Sequence, residues 1–242
     1  MNKGKTIHTS RTMMFAELKR IMVYAANNNS FEGSFTDNII GKLSRSNQIK
    51  TNRYLKQLYS FNLSDPFFVS FFWFWKNIPE SELPVITLLY AIHRDYLLAE
   101  SIDAIINIKP NSKVTVDYFM AAIDSHHQGQ FSSATLRSVA QNIASSWKQA
   151  GFIEGKVKNI KIEREFGYYT VSFALLLGYL ENLRGEYLLE SKYIRALNLE
   201  RRKLMDLISE AAKRDILSYQ HAGNIVTIHF TKLLKEIGID GE

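Results

Sequence analysis

The sequence predicts a mainly α-helical bundle with winged-helix-type units that carry two small β-hairpins. Three observations lead there. Apolar residues recur at three- and four-residue steps through most of the chain, the period of an amphipathic helix. Twice a helical stretch gives way to a short alternating one with glycine at its turn: GFIEGKVKNIKIE from Gly151 and DILSYQHAGNIVTIHF from Asp215. Between Lys113 and Glu163 the order reads helix, turn, helix, hairpin, which is that of a winged helix. Lys109-Pro110-Asn111-Ser112 is the clearest loop. It divides the chain into an N-terminal helical domain, residues 1–110, and a C-terminal winged-helix-type domain, residues 111–242.

In chain order, residues 1–12 lack periodicity and read as an arm. Met13 to Ala26 is helical, with Met14, Leu18, Ile21 and Met22 on one face. Asp37 to Leu43 reads as a short helix, Ser44 to Asn47 as a turn, and Gln48 to Tyr59 as a second helix, an arrangement like a helix-turn-helix. Asp65-Pro66 opens the next element, with Asp as cap and Pro in the first turn. Seven of the ten residues from Phe67 to Lys76 are aromatic. That run is far shorter than the ~20 residues of a membrane span, so it predicts a buried helix, with a partner interface as the alternative. Leu83-Pro84 starts a long helix to Ile106. Lys113 to Ile123 is helical, and His126-His127-Gln128-Gly129 follows as a polar turn.

Ser132 and Ser133 are good caps for a helix in which Leu136, Val139, Ala140, Ile143 and Trp147 form one apolar face. Gly151 ends it, as glycine does just past a helix C-terminus. Phe166 to Gly178 begins β-branched and aromatic and becomes leucine-rich, so it is expected to complete the wing and pass into a helix. Asn182 to Glu186 is a turn, Leu188 to Leu197 a short helix and Leu199 to Arg214 a longer one with Leu204, Leu207, Ile208 and Ala211 inward. The second hairpin turns at Ala222-Gly223-Asn224. Thr231 to Ile237 closes the chain before a short tail, Gly238 to Glu242.

Net charge is +6 and the isoelectric point is near 9.3. The excess is clustered. Lys42, Arg45, Lys50, Arg53 and Lys56 lie in a stretch with no acid. The polar face of the Ser132 helix carries Arg137, Ser138, Gln141, Asn142, Ser145 and Lys148, and the following hairpin carries Lys156, Lys158 and Lys161 around Val157. A third basic block runs from Lys192 to Lys203. Basic surfaces of this kind suit polyanions, though they also describe plain solvated faces. The winged-helix reading makes double-stranded DNA the expected partner, with Arg137, Gln141 and Lys148 on the recognition helix and Lys156, Lys158 and Lys161 on wing phosphates. The Lys42–Lys56 stretch is the second candidate.

The chain has no cysteine, which excludes disulfides and thiolate zinc sites. It has no phosphate-cradling GxxxxGK[ST], no GxGxxG after a strand and no HExxH. These absences predict a non-enzymatic protein without metal or cofactor. The start, MNKGKTIHTSRTMMF, has no apolar segment of signal-peptide length, so a cytoplasmic, non-membrane protein is expected.

The chain resembles the BrxA family of bacteriophage-exclusion (BREX) defence systems. The likeness rests on S-x-x-T-x-R-x-V-A-Q from Ser132 to Gln141, A-G-F-I from Ala150 to Ile153, and L-L-x-x-x-Y-I from Leu188 to Ile194 leading into a helix and hairpin. It covers most of residues 13–230. The resemblance implies a mainly helical, non-enzymatic DNA-binding component of a multi-protein phage-defence system in the bacterial cytoplasm, with other defence-system proteins as partners. The competing readings are a protein-interaction adaptor using Phe67 to Trp75, and a winged-helix transcriptional regulator with one preferred operator.

Overall fold

A computed structural model describes residues 6–156, 158–223 and 225–239, without the side chain of Ala222. The expectations placed on Met1 to Lys5, Val157, Asn224 and the last three residues lie outside the described residues. The chain is mainly helical with two small antiparallel sheets. In order come α1 (Phe15–Asn28), α2 (Arg45–Tyr59), α3 (Pro66–Asn77), α4 (Leu83–Arg94), α5 (Tyr96–Glu100) and α6 (Ile102–Ile106). Next are α7 (Val116–His126), α8 (Ser133–Gln149), β1 (Ile153–Glu154) and β2 (Ile160–Lys161). The remainder is α9 (Tyr168–Leu180), α10 (Gly185–Leu189), α11 (Lys192–Leu197), α12 (Arg201–Lys213), β3 (Ser218–Ala222), β4 (Ile225–His229) and α13 (Thr231–Glu236).

The elements form two compact units, Met1–Asn62 with Ala91–Arg164, and Leu63–Tyr90 with Glu165–Glu242. The boundary expected after residue 110 falls inside the first unit. The loop there is tied to the hairpin: Asn111 N–H donates to Lys161 O (2.8 Å), Lys161 N–H to Ser112 O (2.9 Å) and Val114 N–H to Asn159 O (2.9 Å). Polar loop composition marked an exposed segment; those three bonds make it part of the sheet.

In the first unit, α1 buries Leu18, Ile21, Met22 and Ala25, α2 buries Leu55, Leu58 and Tyr59, and α8 buries Val139, Ile143 and Trp147. Two expected boundaries move. Asp37 to Leu43 is not a helix. Ser44 is the N-cap of α2, its hydroxyl accepting from Asn47 N–H at 3.3 Å, so the expected turn is the first turn of one longer helix. The long helix drawn from Leu83 to Ile106 breaks at Asp95 and Ser101. Asp95 caps α5 by accepting from Leu98 N–H (3.3 Å). It also takes Ile7 N–H (2.7 Å) and the Thr6 hydroxyl (2.9 Å) from the far end of the chain. Ser101 Oγ accepts from Trp147 Nε1–H at 2.8 Å.

In the second unit, α3 turns Phe68, Phe71, Phe74 and Trp75 inward. Phe71 stacks on Tyr90 at 4.7 Å, and Phe74 meets Phe173 of α9 at 5.1 Å. Such pairs add about 0.5–1.5 kcal/mol each beyond area burial. Trp73 lies on the other side, half-buried, with Nε1–H donating to Glu236 at 2.9 Å. The strand-like start expected at Phe166 is instead the lead into α9, whose residues from Thr170 to Tyr179 are all buried. A segment apolar on every face has no alternation to hold it in a half-exposed strand, and its length suits a buried helix. The second hairpin pairs Tyr219 with Ile228 and His221 with Val226, following α12 as the sequence predicts.

Candidate nucleic-acid interface

In the first unit α7 and α8 are followed by a small two-stranded sheet, the order that the sequence predicts. The helices pack on each other, and β1 pairs with β2 with Ile153 opposite Lys161 and Glu154 opposite Ile160. Lys113 adds a third, antiparallel position beside Ile160. Ser132 caps α8, its Oγ accepting from Thr135 N–H at 3.2 Å. The C-terminal end is closed by Arg164, which donates to Ala150 O at 2.8 Å. Gly155 makes the tight wing turn. Its φ is +101°, and a Cβ there would lie 2.0 Å from the Lys158 carbonyl oxygen, so only glycine fits.

Burial of Leu136, Val139, Ala140, Ile143 and Trp147 turns Arg137, Ser138 and Gln141 out to solvent, because residues three and four apart share a helix face. Arg137 has one acidic neighbour, Asp117 Oδ1 at 4.0 Å. Both side chains are mostly exposed, at 60% and 81%, and an exposed pair of this length holds little energy against solvent and salt. Lys156 and Lys158 stand exposed at the wing tip. Lys148 is different. Its Nζ donates to the Gly155 carbonyl and to Asn159 Oδ1 (3.0 Å), so it fixes the wing to the helix. Asn142 likewise leaves the polar face, donating to His8 O at 2.8 Å.

Lys161 does not face phosphates. It is 5% exposed, with Nζ 5.0 Å from the centre of the Phe152 ring. Pairing opposite Ile153 puts it on the inner face of the hairpin, where the alternating sequence places Ile160 and Ile162. A one-residue difference in register exchanges the two faces of a strand. Burial pushes its ammonium down to about 8. Between about pH 8 and the ordinary 10.5, the unfolded chain therefore holds the extra proton, and stability rises with pH. Lys161→Met is expected to abolish that rise in urea titrations across this window while leaving DNA affinity unchanged.

The second candidate segment is a continuous basic helix face. Arg45, Lys50, Arg53 and Lys56 are all exposed on α2. Arg53 lies over the Tyr54 ring (5.0 Å) and Lys56 over Phe35 (4.3 Å). Hydrogen bonding by the Ser10 side chain and by Arg53 draws the Tyr54 phenol below its ordinary value. Lys42 is half-buried and bound to Glu17 at 2.6 Å. Among the described residues no carboxylate lies within ion-pair distance of Arg45, Lys50, Arg53, Lys56, Lys156 or Lys158. A groove of about 690 Å³ opens where α1, α2 and α8 meet, with Arg11, Glu17, Lys42, Asn47, Asn142 and Gln149 in its polar lining. Of the residues expected to meet DNA, Lys42 lines this groove, beside its partner Glu17; α2 and α8 otherwise contribute neutral polar side chains to it. Sequence reasoning missed Arg11 there and the exposed Lys113 beside the wing. Lys113 makes a single bridge to Ile160 just before Thr115 caps α7.

The third basic block is largely neutralised. Lys192 pairs with Glu181 (2.9 Å) and Arg201 with Glu186 (2.5 Å). The Arg201 hydrogen bond holds the Glu186 carboxyl below the usual range. Arg202 and Lys203 remain exposed.

The first unit also contains a serine–histidine–aspartate line. Ser146 Oγ is 2.9 Å from His8 Nε2, and His8 Nδ1 is 2.8 Å from Asp95 Oδ2. All three are buried. Ser146 donates to Asn142 O (3.0 Å) and accepts from Met13 N–H (2.9 Å). The Ser146 hydroxyl proton is thus directed at the backbone, not at the His8 ring. The group ties the segment before α1 to α5 and α8. His127, expected in a polar turn, is also buried, 2.6 Å from Glu100 Oε2. No group of three or more metal-binding side chains occurs among the described residues, and no helix there is long and apolar enough to cross a membrane. Comparison of the chain with protein-family models, with curated proteins and with solved structures finds no match.

Proposed function

We propose that the first unit binds double-stranded DNA, mainly through phosphates. The observation that carries this reading is the set of exposed cations with no carboxylate partner among the described residues, Lys156 and Lys158 on the hairpin and Arg45, Lys50, Arg53 and Lys56 on α2. It stands beside a capped helix whose N-terminal half presents Arg137, Ser138 and Gln141. A helix so placed enters a major groove N-terminal end first, while flanking cations hold the backbone. The proposal extends to a non-enzymatic role in a bacterial phage-defence system alongside other defence proteins in the cytoplasm, on the resemblance of the Ser132–Gln141, Ala150–Ile153 and Leu188–Ile194 segments. The adaptor reading loses its main support, because Phe68, Phe71, Phe74 and Trp75 lie inside the second unit.

Arg137→Glu tests the recognition helix. Equilibrium binding to random duplex at low salt should weaken, with melting shifted by no more than about ±0.5 kcal/mol, as for an exposed surface change. Binding equal to that of the parent would remove α8 from the interface and leave α2 as the contact.

A further inference from the structure

We infer that the outward face of α1 docks an acidic amphipathic helix of a partner protein. Helix α1 is apolar on two sides. One side buries Leu18, Ile21, Met22 and Ala25. The other presents Ala16 and Val23, the latter 45% exposed, between the partly exposed rings of Phe15 and Tyr24. Ile39 closes this side into a groove of about 570 Å³. The segment bearing Ile39 is held along the helix, since Arg20 Nη1–H donates to Ile40 O at 2.9 Å and Lys42 binds Glu17 at 2.6 Å. Beyond it Leu43 is fully exposed. A surface apolar helix stripe with a preformed second wall is the form taken by helix-in-groove sites.

Charge selects the occupant. The charged residues lining the groove are Lys19 and Arg20, and no acid lines it. Glu17, on the same helix, is bound by Lys42. From Phe15 to Tyr24 the groove is about 13 Å long at 1.5 Å per residue, between two and three turns of a partner helix. A helix with apolar side chains at three- and four-residue steps and carboxylates on both flanks matches floor and rim together.

The test uses the full chain and a labelled helix-forming peptide of about four turns, leucine at the repeating positions and glutamate elsewhere. Two controls are a scrambled peptide of the same composition and a lysine-for-glutamate version. The acidic amphipathic peptide should bind at least about tenfold more tightly than either control. Val23→Glu should remove about that same factor at unchanged melting temperature, and Ala16→Glu, at an exposed position, reads the same face should Val23→Glu melt early. Equal binding of the scrambled peptide, or full binding by both variants, would overturn the proposal. So would a concentration-dependent dimer in sedimentation that these variants dissolve, which would assign the groove to a second copy of the chain.

Discussion

Trp147→Ala is expected to destabilise the protein by about 3–5 kcal/mol, the range for a fully buried large ring. Trp147 has no exposed surface. Its indole N–H donates to Ser101 Oγ at 2.8 Å, and its ring meets Phe152 edge-on at 4.9 Å. Truncation opens a cavity under α8, removes the donor to the buried Ser101 hydroxyl, and removes the seat of Phe152 at the start of the hairpin. Since total stabilities run at about 5–15 kcal/mol, a change of this size takes a large part of the whole. Urea unfolding followed by far-ultraviolet dichroism reads it. A midpoint close to that of the parent would mean that α8 is not anchored through this ring.

Asp95→Ala is expected to cost about as much, 3–5 kcal/mol, because it takes a buried charged acceptor from several donors at once. Besides the His8 ring at 2.8 Å, Asp95 holds the amides of Ile7, His8 and Leu98 and the Thr6 hydroxyl. Removing it takes the buried acceptor from the Ile7 and Leu98 amides and leaves the His8 amide with Thr6 Oγ1 alone. Burial raises this carboxyl, but the neighbouring His8 ring and the donated hydrogen bonds outweigh it, so it lies below its ordinary 3.8. A depressed carboxyl contributes stability that is complete above its unfolded value and is lost as pH falls through the folded one. The variant should therefore differ most from the parent at neutral pH, with the gap closing as the pH falls below about 3.8. A gap that persists unchanged into acid would contradict the assignment.

The parts of the fold set by neighbouring residues were legible. Ser132 caps its helix through Thr135, three residues on, and the Leu136 to Trp147 stripe needs nothing beyond helical period. Ser44 was harder, because serine serves turns and N-caps alike, and only the following geometry separates them. The break at Asp95 was not legible at all. Its ligands Ile7 and His8 lie 88 and 87 residues away, and periodicity carries no information on that scale. The same holds for the groove between α1, α2 and α8, which exists only once they are packed. Within the wing, alternation was right about the strands and wrong about their inner face, so Lys156 and Lys158 were placed correctly outward while Lys161 was not.

The most direct test of duplex binding through phosphates is the salt dependence of affinity for random double-stranded DNA, measured for the parent and for the Lys156→Ala, Lys158→Ala double variant. Each phosphate contact contributes about −0.9 to the slope of log affinity against log salt. The account predicts a steep slope for the parent and one shallower by about two units in the double variant, with the fold intact. A salt-independent affinity, or the same slope in both proteins, would contradict it.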